Sequence, residues 1–361
     1  MGTEKADFAK FLLKWNFEEN SREMPWKGEK DPYKIWLSEV ILQQTRVEQG
    51  WAYYERFVAT FPSVGDLAAA PESKVFKLWE GLGYYSRCRN LIATAKIIVE
   101  TYNGKFPSDY ESIRGLKGVG PYTAAAIASF AFNLPHAVVD GNVVRVLSRY
   151  FGISTPIDTT AGKKLYTQLA DALLDNDQPG AYNQAIMDLG AVICKPQNPL
   201  CVSCPQSADC QAYLKGWTGQ LPIKEKTLQK KSRWFYYFVI ETGDGLVYIR
   251  QRQQKDIWAD LYEFVLWEAD RDLYAEEIEG SEFVREIFGK RSLTVKYISK
   301  LYRQELTHQT IQGRFVKVQI DKPLSALRGY QLVSKKDMGE YAFPKFINAW
   351  LQDPSPVQSL F

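Results

Sequence analysis

The sequence contains no apolar run close to the roughly 20 residues that a bilayer-spanning helix requires. Its N-terminal segment mixes charged with apolar side chains, which is typical of an amphipathic helix and not of a signal peptide. A strong charge of either sign is also missing, since 45 Lys and Arg oppose 42 Asp and Glu. The net charge of +3 therefore gives no argument for an anionic partner, and we expect a cytoplasmic protein without membrane attachment.

Histidine and cysteine are scarce, with two and five residues among 361. Four of the cysteines nevertheless fall within a 17-residue span, in the pattern Cys-x6-Cys-x2-Cys-x5-Cys. In a reducing compartment such a group predicts metal binding in place of disulfides. Four thiolates suit zinc or an iron–sulfur cluster, and the long outer gaps favour the bulkier cluster without excluding zinc. The predicted ligands are Cys194, Cys201, Cys204 and Cys210, whereas Cys88 is expected to be a partly buried free thiol.

The chain also lacks internal repeats and low-complexity segments, and the spacing and type of its apolar residues change along its length. Over residues 1–215 apolar side chains recur at helical spacing, which predicts a mostly α-helical first domain. Residues 216–233 lose this pattern and are rich in lysine, so we interpret them as a basic linker. Aromatic and β-branched runs predict an α+β domain over residues 234–352, with a tail at 353–361. The predicted strands cover residues 234–240, 246–250, 294–302 and 314–320, and a closing helix covers 343–351.

A glycine-rich turn joins two helical stretches at residues 116–124, Leu-Lys-Gly-Val-Gly-Pro-Tyr-Thr-Ala. Gly118 and Gly120 would let a partner approach the backbone closely, and the amides that begin the second helix could bind a phosphate. A plain helical turn explains a lone Gly-x-Gly equally well. The motif therefore carries weight only in combination with the cysteines downstream.

Together these features resemble the helix-hairpin-helix base-excision glycosylases, the superfamily of endonuclease III, and within it the MutY-type adenine DNA glycosylases. The resemblance extends over nearly the whole chain and implies DNA repair by removal of a base. It implies a six-helix barrel at about residues 25–133, an iron–sulfur module at residues 1–24 and 134–215, and one [4Fe-4S] cluster held by the four cysteines. The motifs that carry it are Met24-Pro25-Trp26, Trp36–Thr45, Gly81–Tyr85, the hairpin, Val139–Val143 and the cysteine spacing.

The implied partner is double-stranded DNA that contains adenine opposite 8-oxoguanine or guanine, bound by a monomer that associates with the nucleoid through DNA. Two alternatives stay open, namely a related mismatch glycosylase that removes thymine opposite guanine and a catalytically inactive DNA-binding module. Thymine-specific relatives usually lack a second domain, which favours adenine. The basic linker is either a solvated connector or a DNA contact.

Glu39 is the candidate general acid. Ile35, Trp36 and Leu42 lie three or four positions away on the same predicted helix, and a carboxyl group among apolar side chains is desolvated. Its pKa should therefore rise toward neutrality, where it could donate a proton. An exposed glutamate is the alternative on helical spacing alone. The resemblance implies instead that Glu39 protonates N7 of adenine.

Asp140 is the candidate anion of the site. It stands between an apolar run and a helical one, where an N-cap is expected, and bonds from backbone amides should keep its carboxylate ionised. The resemblance implies that this anion stabilises the oxocarbenium-like sugar or attacks C1′, and that Tyr122 and Asn142 line the pocket. Bifunctional relatives carry a lysine where Tyr122 stands. Because a phenol cannot form a Schiff base, base removal without efficient strand cleavage is implied.

The resemblance also assigns residues that meet the DNA. Gln44 and Tyr84 match residues that wedge beside the orphaned base when adenine is extruded from the duplex. Leu42, Thr45 and Lys27 are predicted to contact the DNA or the lesion, together with the hairpin glycines. Lys27 stands where the family pattern has arginine, so it keeps the charge but not a bidentate contact.

Residues 234–352 resemble the Nudix-related domain of the adenine glycosylases, through the run Leu261–Phe264. They lack the acidic Arg-Glu-x-x-Glu-Glu helix with which Nudix hydrolases hold metal ions, since the nearest segment is Phe283–Ile287. The domain is thus implied to recognise 8-oxoguanine and not to hydrolyse nucleotides. Thr307 and His308 match the recognition loop, in which bacterial relatives have Phe-Ser-His.

Overall fold

The computed structural model describes residues 2–225, 230–253, 256–289 and 294–354. Lys226 of the predicted linker and most of the predicted tail lie outside the described residues. The chain divides into two compact units, Met1–Ala70 with Arg89–Thr227 and Pro71–Cys88 with Leu228–Phe361. None of the helices in the described part of the chain combines the length and the apolar character that a membrane span needs.

The first unit is built from α-helices, which confirms the predicted fold class for this part of the chain. Several helices begin at short polar side chains: Asp31, Asp109 and Thr159 each accept a hydrogen bond from a backbone amide in the following turn. Up to residue 214 the helices are α1 Gly2–Glu18, α2 Pro32–Leu42, α3 Val47–Thr60, α4 Val64–Ala69, α5 Glu72–Trp79, α6 Tyr85–Tyr102, α7 Tyr110–Gly115, α8 Pro121–Phe132, α9 Gly141–Phe151, α10 Thr160–Leu173, α11 Pro179–Asp188 and α12 Gln211–Leu214.

A buried cluster anchors the helices that carry the site. It joins side chains of α1, α8, α9, α10 and α11 around Phe8, Leu147, Tyr166 and Tyr182, which are all almost fully buried. Burial of each such side chain contributes about 1.5–3 kcal/mol. The helices α9 and α11 thus have one face fixed in this core, while residues at their ends face the pocket described below.

The second unit contains a mixed sheet, which confirms the α+β prediction. Its central strands β1 and β7 pair in parallel from Lys231↔Gln309 to Thr242↔Ile320, and the sheet order is β3-β2-β1-β7-β5. In addition, β4 pairs with β1, β6 with β7 and β8 with β2. The elements are β1 Lys231–Thr242, β2 Leu246–Gln251, β3 Tyr262–Glu263, β4 Val265–Ala269, α13 Ala275–Glu279, α14 Glu282–Phe288, β5 Thr294–Ile298, β6 Tyr302–Glu305, β7 Gln309–Ile320, β8 Gln331–Ser334 and α15 Lys345–Leu351.

Both faces of the central strand β1 are covered, as is typical of an interior strand. Tyr236 and Phe238 face a cluster that includes Val284 of α14. On the other face Tyr237 stacks with Phe315 of β7, at a centroid distance of 5.6 Å. Burial of both faces of β1 explains the unbroken aromatic run Trp234–Phe238 at the start of the predicted domain.

The prediction of one strand over residues 294–302 was wrong. β5 ends at Ile298 and β6 starts at Tyr302, although both pair with β7. Between them the buried Ser299 bonds to Phe315 through its backbone amide at 2.9 Å and accepts from the Phe315 amide through Oγ at 2.9 Å. A side chain thus replaces a carbonyl in the ladder at this point, and the pairing is interrupted.

Candidate active site

A cavity of about 410 Å³ opens into the first unit. Glu39 reaches it from α2, Tyr122 from α8, and Asp140 and Asn142 from the start of α9. Three further residues that the sequence assigned to DNA or lesion contact also line it, namely Leu42, Thr45 and Lys27. Residues that are 101 positions apart in sequence, Glu39 and Asp140, therefore share one pocket.

Glu39 is only 7% exposed. Burial raises the pKa of its carboxyl group to about 7; the charge of Asp140 adds to this rise, while a hydrogen bond from Tyr122 opposes it. Near neutral pH a large fraction of Glu39 therefore holds a proton that it can donate.

Asp140 caps α9 in the predicted way. Its Oδ1 accepts from the amides of Asn142 at 2.9 Å and Val143 at 2.8 Å, and its Oδ2 accepts from the Asn142 side-chain amide at 2.8 Å. Burial raises the pKa of Asp140, while these hydrogen bonds favour its ionised form. The charge of Asp140 adds to the rise in the pKa of Glu39, so the two carboxyl groups are electrostatically coupled.

Tyr122 lies between the acids and α11. Its hydroxyl oxygen lies 3.4 Å from Sδ of Met187, and burial and the two carboxyl groups raise its pKa well above the usual range for tyrosine. The residue is thus a neutral hydrogen-bond donor at any physiological pH. Lys117, the lysine of the hairpin, is exposed, and its carbonyl accepts from the Thr94 hydroxyl at 2.7 Å.

Arg145, which sequence reasoning missed, connects the pocket to the first cysteine. Its Nη2 donates to Asn142 Oδ1 at 2.8 Å and to the Gly190 carbonyl at 2.7 Å, and its Nε donates to the Cys194 carbonyl at 2.7 Å. Gly190 is needed for this approach, since a Cβ there would lie 2.7 Å from Cβ of Asn142. Helical spacing gave no signal, because Arg145 and Arg149 fall on the side of α9 opposite Val143, Val146 and Leu147, where exposed charges are expected.

The four predicted metal ligands lie in one loop that Arg149 organises. Arg149 is buried, and its guanidinium donates to the carbonyls of Leu221, Lys195 and Pro196 and to Sγ of Cys194 at 3.4 Å. Cys194 follows a π-helical turn at Leu189–Ile193, the next two cysteines bound a 3-10 turn at Cys201–Ser203, and Cys210 precedes α12.

The thiols of this loop are near neighbours without converging on one point. Burial, together with the other three thiols, raises the pKa of Cys204 to about 12. Among the described residues, however, no three His, Cys, Asp or Glu side chains are gathered tightly enough to hold a single metal ion. Four thiols in one loop are a donor set that fits zinc or an iron–sulfur cluster.

The hairpin between α7 and α8 presents backbone to solvent. Gly118 has a φ of +77°, and a Cβ there would lie 2.6 Å from the Asn90 side chain, so glycine is required twice over. Gly120 caps α8 without a side-chain bond, and Pro121 occupies the first turn. The amides at this helix start are therefore available to an anion such as a phosphate.

Comparison with known proteins identifies both parts of the chain. A family model described as HhH-GPD superfamily base excision DNA repair protein matches residues 37–169, and a NUDIX domain model matches residues 236–353. The adenine DNA glycosylase of Buchnera aphidicola subsp. Baizongia pistaciae is 34% identical over 301 residues, which are 82% of this chain and 85% of the relative. The chain belongs to the adenine DNA glycosylase family.

Two further relatives place this adenine DNA glycosylase family member in a wider group. The adenine DNA glycosylase of Mus musculus is 43% identical over 224 residues, which are 59% of this chain and 43% of the mouse protein. The solved structure of a thermostable thymine-DNA glycosylase is 31% identical with a TM-score of 0.55, over 59% of this chain and 98% of that one. The resemblance seen in the sequence is thereby confirmed, and the chain is a DNA glycosylase.

Within this glycosylase, the two predicted wedge residues share an unusual backbone. Gln44 has a φ of 56° and Tyr84 a φ of 47°, values that side-chain-bearing residues seldom adopt. Both side chains are exposed, Tyr84 to 44%. Such strained positions often coincide with functional sites, because the strain fixes the direction of a side chain.

In the second unit of the glycosylase, Tyr84 meets the predicted recognition loop. The hydroxyl groups of Tyr84 and Thr307 are 2.7 Å apart. Thr307 and His308 are exposed at the turn between β6 and β7, which closes with a bond from the Leu306 amide to the Gln309 carbonyl at 2.8 Å. The structure thus brings these two predicted lesion residues into direct contact, with His308 beside them.

Proposed function

We propose that this glycosylase hydrolyses the N-glycosidic bond of adenine opposite 8-oxoguanine or guanine in double-stranded DNA and leaves the strand intact. The observation that carries the proposal is the presence of Glu39 and Asp140 in one pocket, where burial raises the pKa of Glu39 to about 7 and hydrogen bonds from α9 hold Asp140. The pocket is large enough for one purine extruded from the duplex.

Departure of adenine is assisted by acid. Glu39, whose pKa is about 7, donates its proton to N7 of the base, so that adenine leaves as a neutral molecule. Tyr122, bonded to Glu39, orients the carboxyl group without competing for the proton, because its own pKa is far higher. The same residue, lacking an amine, supports hydrolysis in place of Schiff-base formation.

The sugar is stabilised by an anion. As the glycosidic bond breaks, positive charge develops at C1′ and O4′, and Asp140 is the ionised carboxylate of the pocket. Its position is fixed by three hydrogen bonds from α9, and Asn142, which supplies two of them, is itself held by Arg145. A fixed anion gains more from a developing charge than a mobile one, since nothing must reorganise during the reaction.

Recognition of 8-oxoguanine is assigned to Tyr84, Thr307 and His308. Their exposed hydroxyl and imidazole groups can bond to the edge of the oxidised base, while Gln44 fills the gap left by adenine. The second unit does not act as a Nudix hydrolase in this proposal. Its helix α14 has the sequence Glu-Phe-Val-Arg-Glu-Ile-Phe, which lacks the paired glutamates of a Nudix metal-binding helix.

The four cysteines are proposed to hold a [4Fe-4S] cluster. When bound, such a cluster supplies a rigid cross-link for the loop between Cys194 and Cys210, and no step of the hydrolysis needs it. Arg145 and Arg149 tie this loop to α9, so the order of the loop supports the placement of Asn142. The exposed Lys195 in this loop is suited to contact with a DNA phosphate.

The thymine-specific alternative is favoured by the 31% identity with the thermostable thymine-DNA glycosylase. That protein is matched over 98% of its length by only 59% of this chain, so it offers no counterpart for most of the second unit. Adenine therefore remains the better substrate.

One assay separates these possibilities. Single-turnover cleavage is measured on duplexes with A:8-oxoguanine, A:G and T:G, followed by alkali to reveal abasic sites. We expect product with both adenine duplexes, no strand break before alkali and no borohydride-trapped adduct. Preferred cleavage of T:G would replace the proposal by the thymine activity, and absence of cleavage with retained DNA binding would show an inactive module.

A further inference from the structure

The segment Pro71–Cys88, which carries the predicted wedge residue Tyr84, belongs to one domain by sequence and to the other by structure. It lies inside residues 37–169, the range that the base excision DNA repair model matches. In the structure, however, this wedge segment groups with Leu228–Phe361 in the second unit, although the chain on either side of it belongs to the first unit. The contacts that hold the wedge segment to the second unit therefore also determine where Tyr84 is placed.

Glu80 holds the wedge segment through bonds to distant parts of the second unit. It caps the C-terminus of α5, where a negative charge opposes the helix dipole. Its Oε1 accepts from the Phe343 amide at 2.7 Å and from the Asn348 side-chain amide at 2.9 Å. Its Oε2 accepts from Lys77 at 2.7 Å, and Lys77 also donates to the Tyr341 carbonyl at 3.0 Å. Glu80 thus stabilises a long-range contact and not its own helix.

Burial makes these bonds necessary. The Glu80 side chain is only 17% exposed, and a carboxylate withdrawn from water is stable only where other donors replace the lost water. Two of its donors belong to α15 or to the chain just before it, namely Asn348 and the Phe343 amide. Asn348 also donates to the Phe343 carbonyl at 3.3 Å, so the carboxylate and the start of α15 form one bonded group.

The helix that Glu80 holds packs on the strands that lead to the predicted recognition loop. Phe346 of α15 contacts Tyr302 of β6 at a ring-centroid distance of 6.4 Å and Phe315 of β7 at 5.8 Å. The turn between β6 and β7 carries Thr307 and His308. A displacement of α15 would therefore act on the strands that position this turn.

Four residues after Glu80 the wedge segment meets the same turn directly. The Trp79 indole donates to the Gly83 carbonyl at 3.1 Å, which closes the turn before Tyr84, and the Tyr84 hydroxyl lies 2.7 Å from that of Thr307. The short chain from Glu80 to Tyr84 is thus fixed at one end on α15 and at the other on the β6–β7 turn. Because Tyr84 has a φ of 47°, its strained backbone depends on both attachments.

We propose that Glu80 is a positioning residue for lesion recognition, which keeps Tyr84 and Thr307 at the same base by holding the wedge segment on α15. The inference rests on the proposed recognition of 8-oxoguanine by these two residues and adds the group that sets their distance. 8-Oxoguanine offers a carbonyl at C8 and a donor at N7, whereas guanine has neither. Loss of the Glu80 bonds should therefore weaken action on A:8-oxoguanine more than on A:G.

The test compares two duplexes within each variant. Single-turnover adenine excision and equilibrium binding are measured on A:8-oxoguanine and A:G duplexes for the entire wild-type chain, Glu80→Ala, Asn348→Ala, Thr307→Val and the double variant of Glu80→Ala with Thr307→Val. Glu72→Ala, which removes an exposed acid at the start of the same helix, is the matched control. The ratio between the two duplexes cancels any loss that affects both substrates equally.

We expect Glu80→Ala to lower the preference for A:8-oxoguanine over A:G about fivefold, the factor that corresponds to one well-placed hydrogen bond. Asn348→Ala should lower the ratio in the same direction, because it removes one of the same bonds from the side of α15. In the Thr307→Val background, Glu80→Ala should lower the ratio no further, since the hydroxyl pair is already broken. Glu72→Ala should leave the ratio at the wild-type value.

A purely structural role for Glu80 predicts a different result. Excision and binding would then fall by one common factor for both duplexes, with an unchanged ratio, and this would overturn the inference while leaving 8-oxoguanine recognition intact. Additive effects of Glu80→Ala and Thr307→Val on the ratio would also overturn it. If Glu80→Ala does not fold, as judged by circular dichroism, an unchanged ratio in Asn348→Ala has the same force. A wild type that does not distinguish the two duplexes would refute the proposed recognition and this inference together.

Discussion

The pocket of the first unit and a charged cleft of the second unit both bury acidic side chains, but they compensate for burial differently. The cleft is lined by Arg250, Arg252, Asp256, Glu263 and Glu268, and each of these acids pairs with an arginine. Glu263 is 1% exposed and pairs with Arg250 at 3.0 Å and with Arg252, while Asp256 pairs with Arg233 at 2.8 Å. In the pocket, Glu39 is bonded by a tyrosine and faces another carboxyl group.

The two arrangements move pKa values in opposite directions. Hydrogen bonds from Arg233 lower the pKa of Asp256, whereas burial raises the pKa of Glu39 to about 7. The pairing with Arg233 thus favours the ionised form of Asp256. The pocket keeps a proton available near neutrality, at the cost of a buried acid that is not compensated.

The largest expected effect comes from removing the acid itself. Glu39→Gln keeps the shape of the side chain but cannot donate a proton, so single-turnover excision of adenine should fall by about 10²–10⁴-fold. Binding to an A:8-oxoguanine duplex should stay close to that of the wild type, because Glu39 lies inside the pocket. Excision within a few-fold of the wild-type rate would remove Glu39 from the mechanism.

Arg145→Met should give the next largest effect, since it cuts the connection between Asn142 and the cysteine loop. A small displacement of Asn142 would carry Asp140 with it, and we expect excision to fall by about 10²-fold. Circular dichroism and thermal unfolding of the same preparation serve as the control for folding. A variant that is folded and fully active would show that the bridge does not position the anion.

The pH dependence of adenine excision should report the raised pKa of Glu39 in the pocket. Because the acid form of Glu39 is the active one and its pKa is about 7, the single-turnover rate should fall about tenfold per pH unit above that value. The residual excision rate of Glu39→Gln should not show this fall with rising pH. A wild-type rate that is flat between pH 6 and about 9 would contradict the assignment.

The same pKa affects stability with a defined sign. The folded state raises the pKa of Glu39 above the ordinary value of 4.5, so burial favours the protonated form. The contribution of this group to stability is present below pH 4.5 and is lost as the pH rises through 7. Relative to Glu39→Gln, the wild type should therefore become less stable across this interval in denaturant titrations.

Sequence patterns predicted the parts of the molecule that depend on local signals. Helical periodicity and the cap at Asp140 are read within a few residues and predicted the helical first domain, whereas the family was implied by the resemblance of several short motifs. The roles of the site residues stay predictions. Arg145 and Arg149 were missed because an arginine is normally exposed, and only the three-dimensional packing shows which ones are buried and bonded.

The sequence also could not predict the balance between burial and hydrogen bonding that sets the pKa of Asp140. An N-cap predicts a low pKa for Asp140, yet the depth of the pocket, which raises that pKa, depends on helices that are distant in sequence. The break at Ser299 has the same origin, since it depends on a bond to β7 and not on strand propensity.

Asp256→Asn should have the smallest effect and completes the comparison. Arg233 keeps Glu268 at 2.7 Å and Arg252 keeps Glu263, so each arginine retains one partner. Because Asp256 is 31% exposed, the loss of stability should be only about 1 kcal/mol. Thermal unfolding, followed by the circular-dichroism signal of the β-sheet, measures this loss of stability. Adenine excision at pH 7 should equal that of the wild type. A drop in excision comparable with that of Glu39→Gln would mean that the cleft, too, takes part in catalysis and that compensation by arginine does not distinguish the two regions.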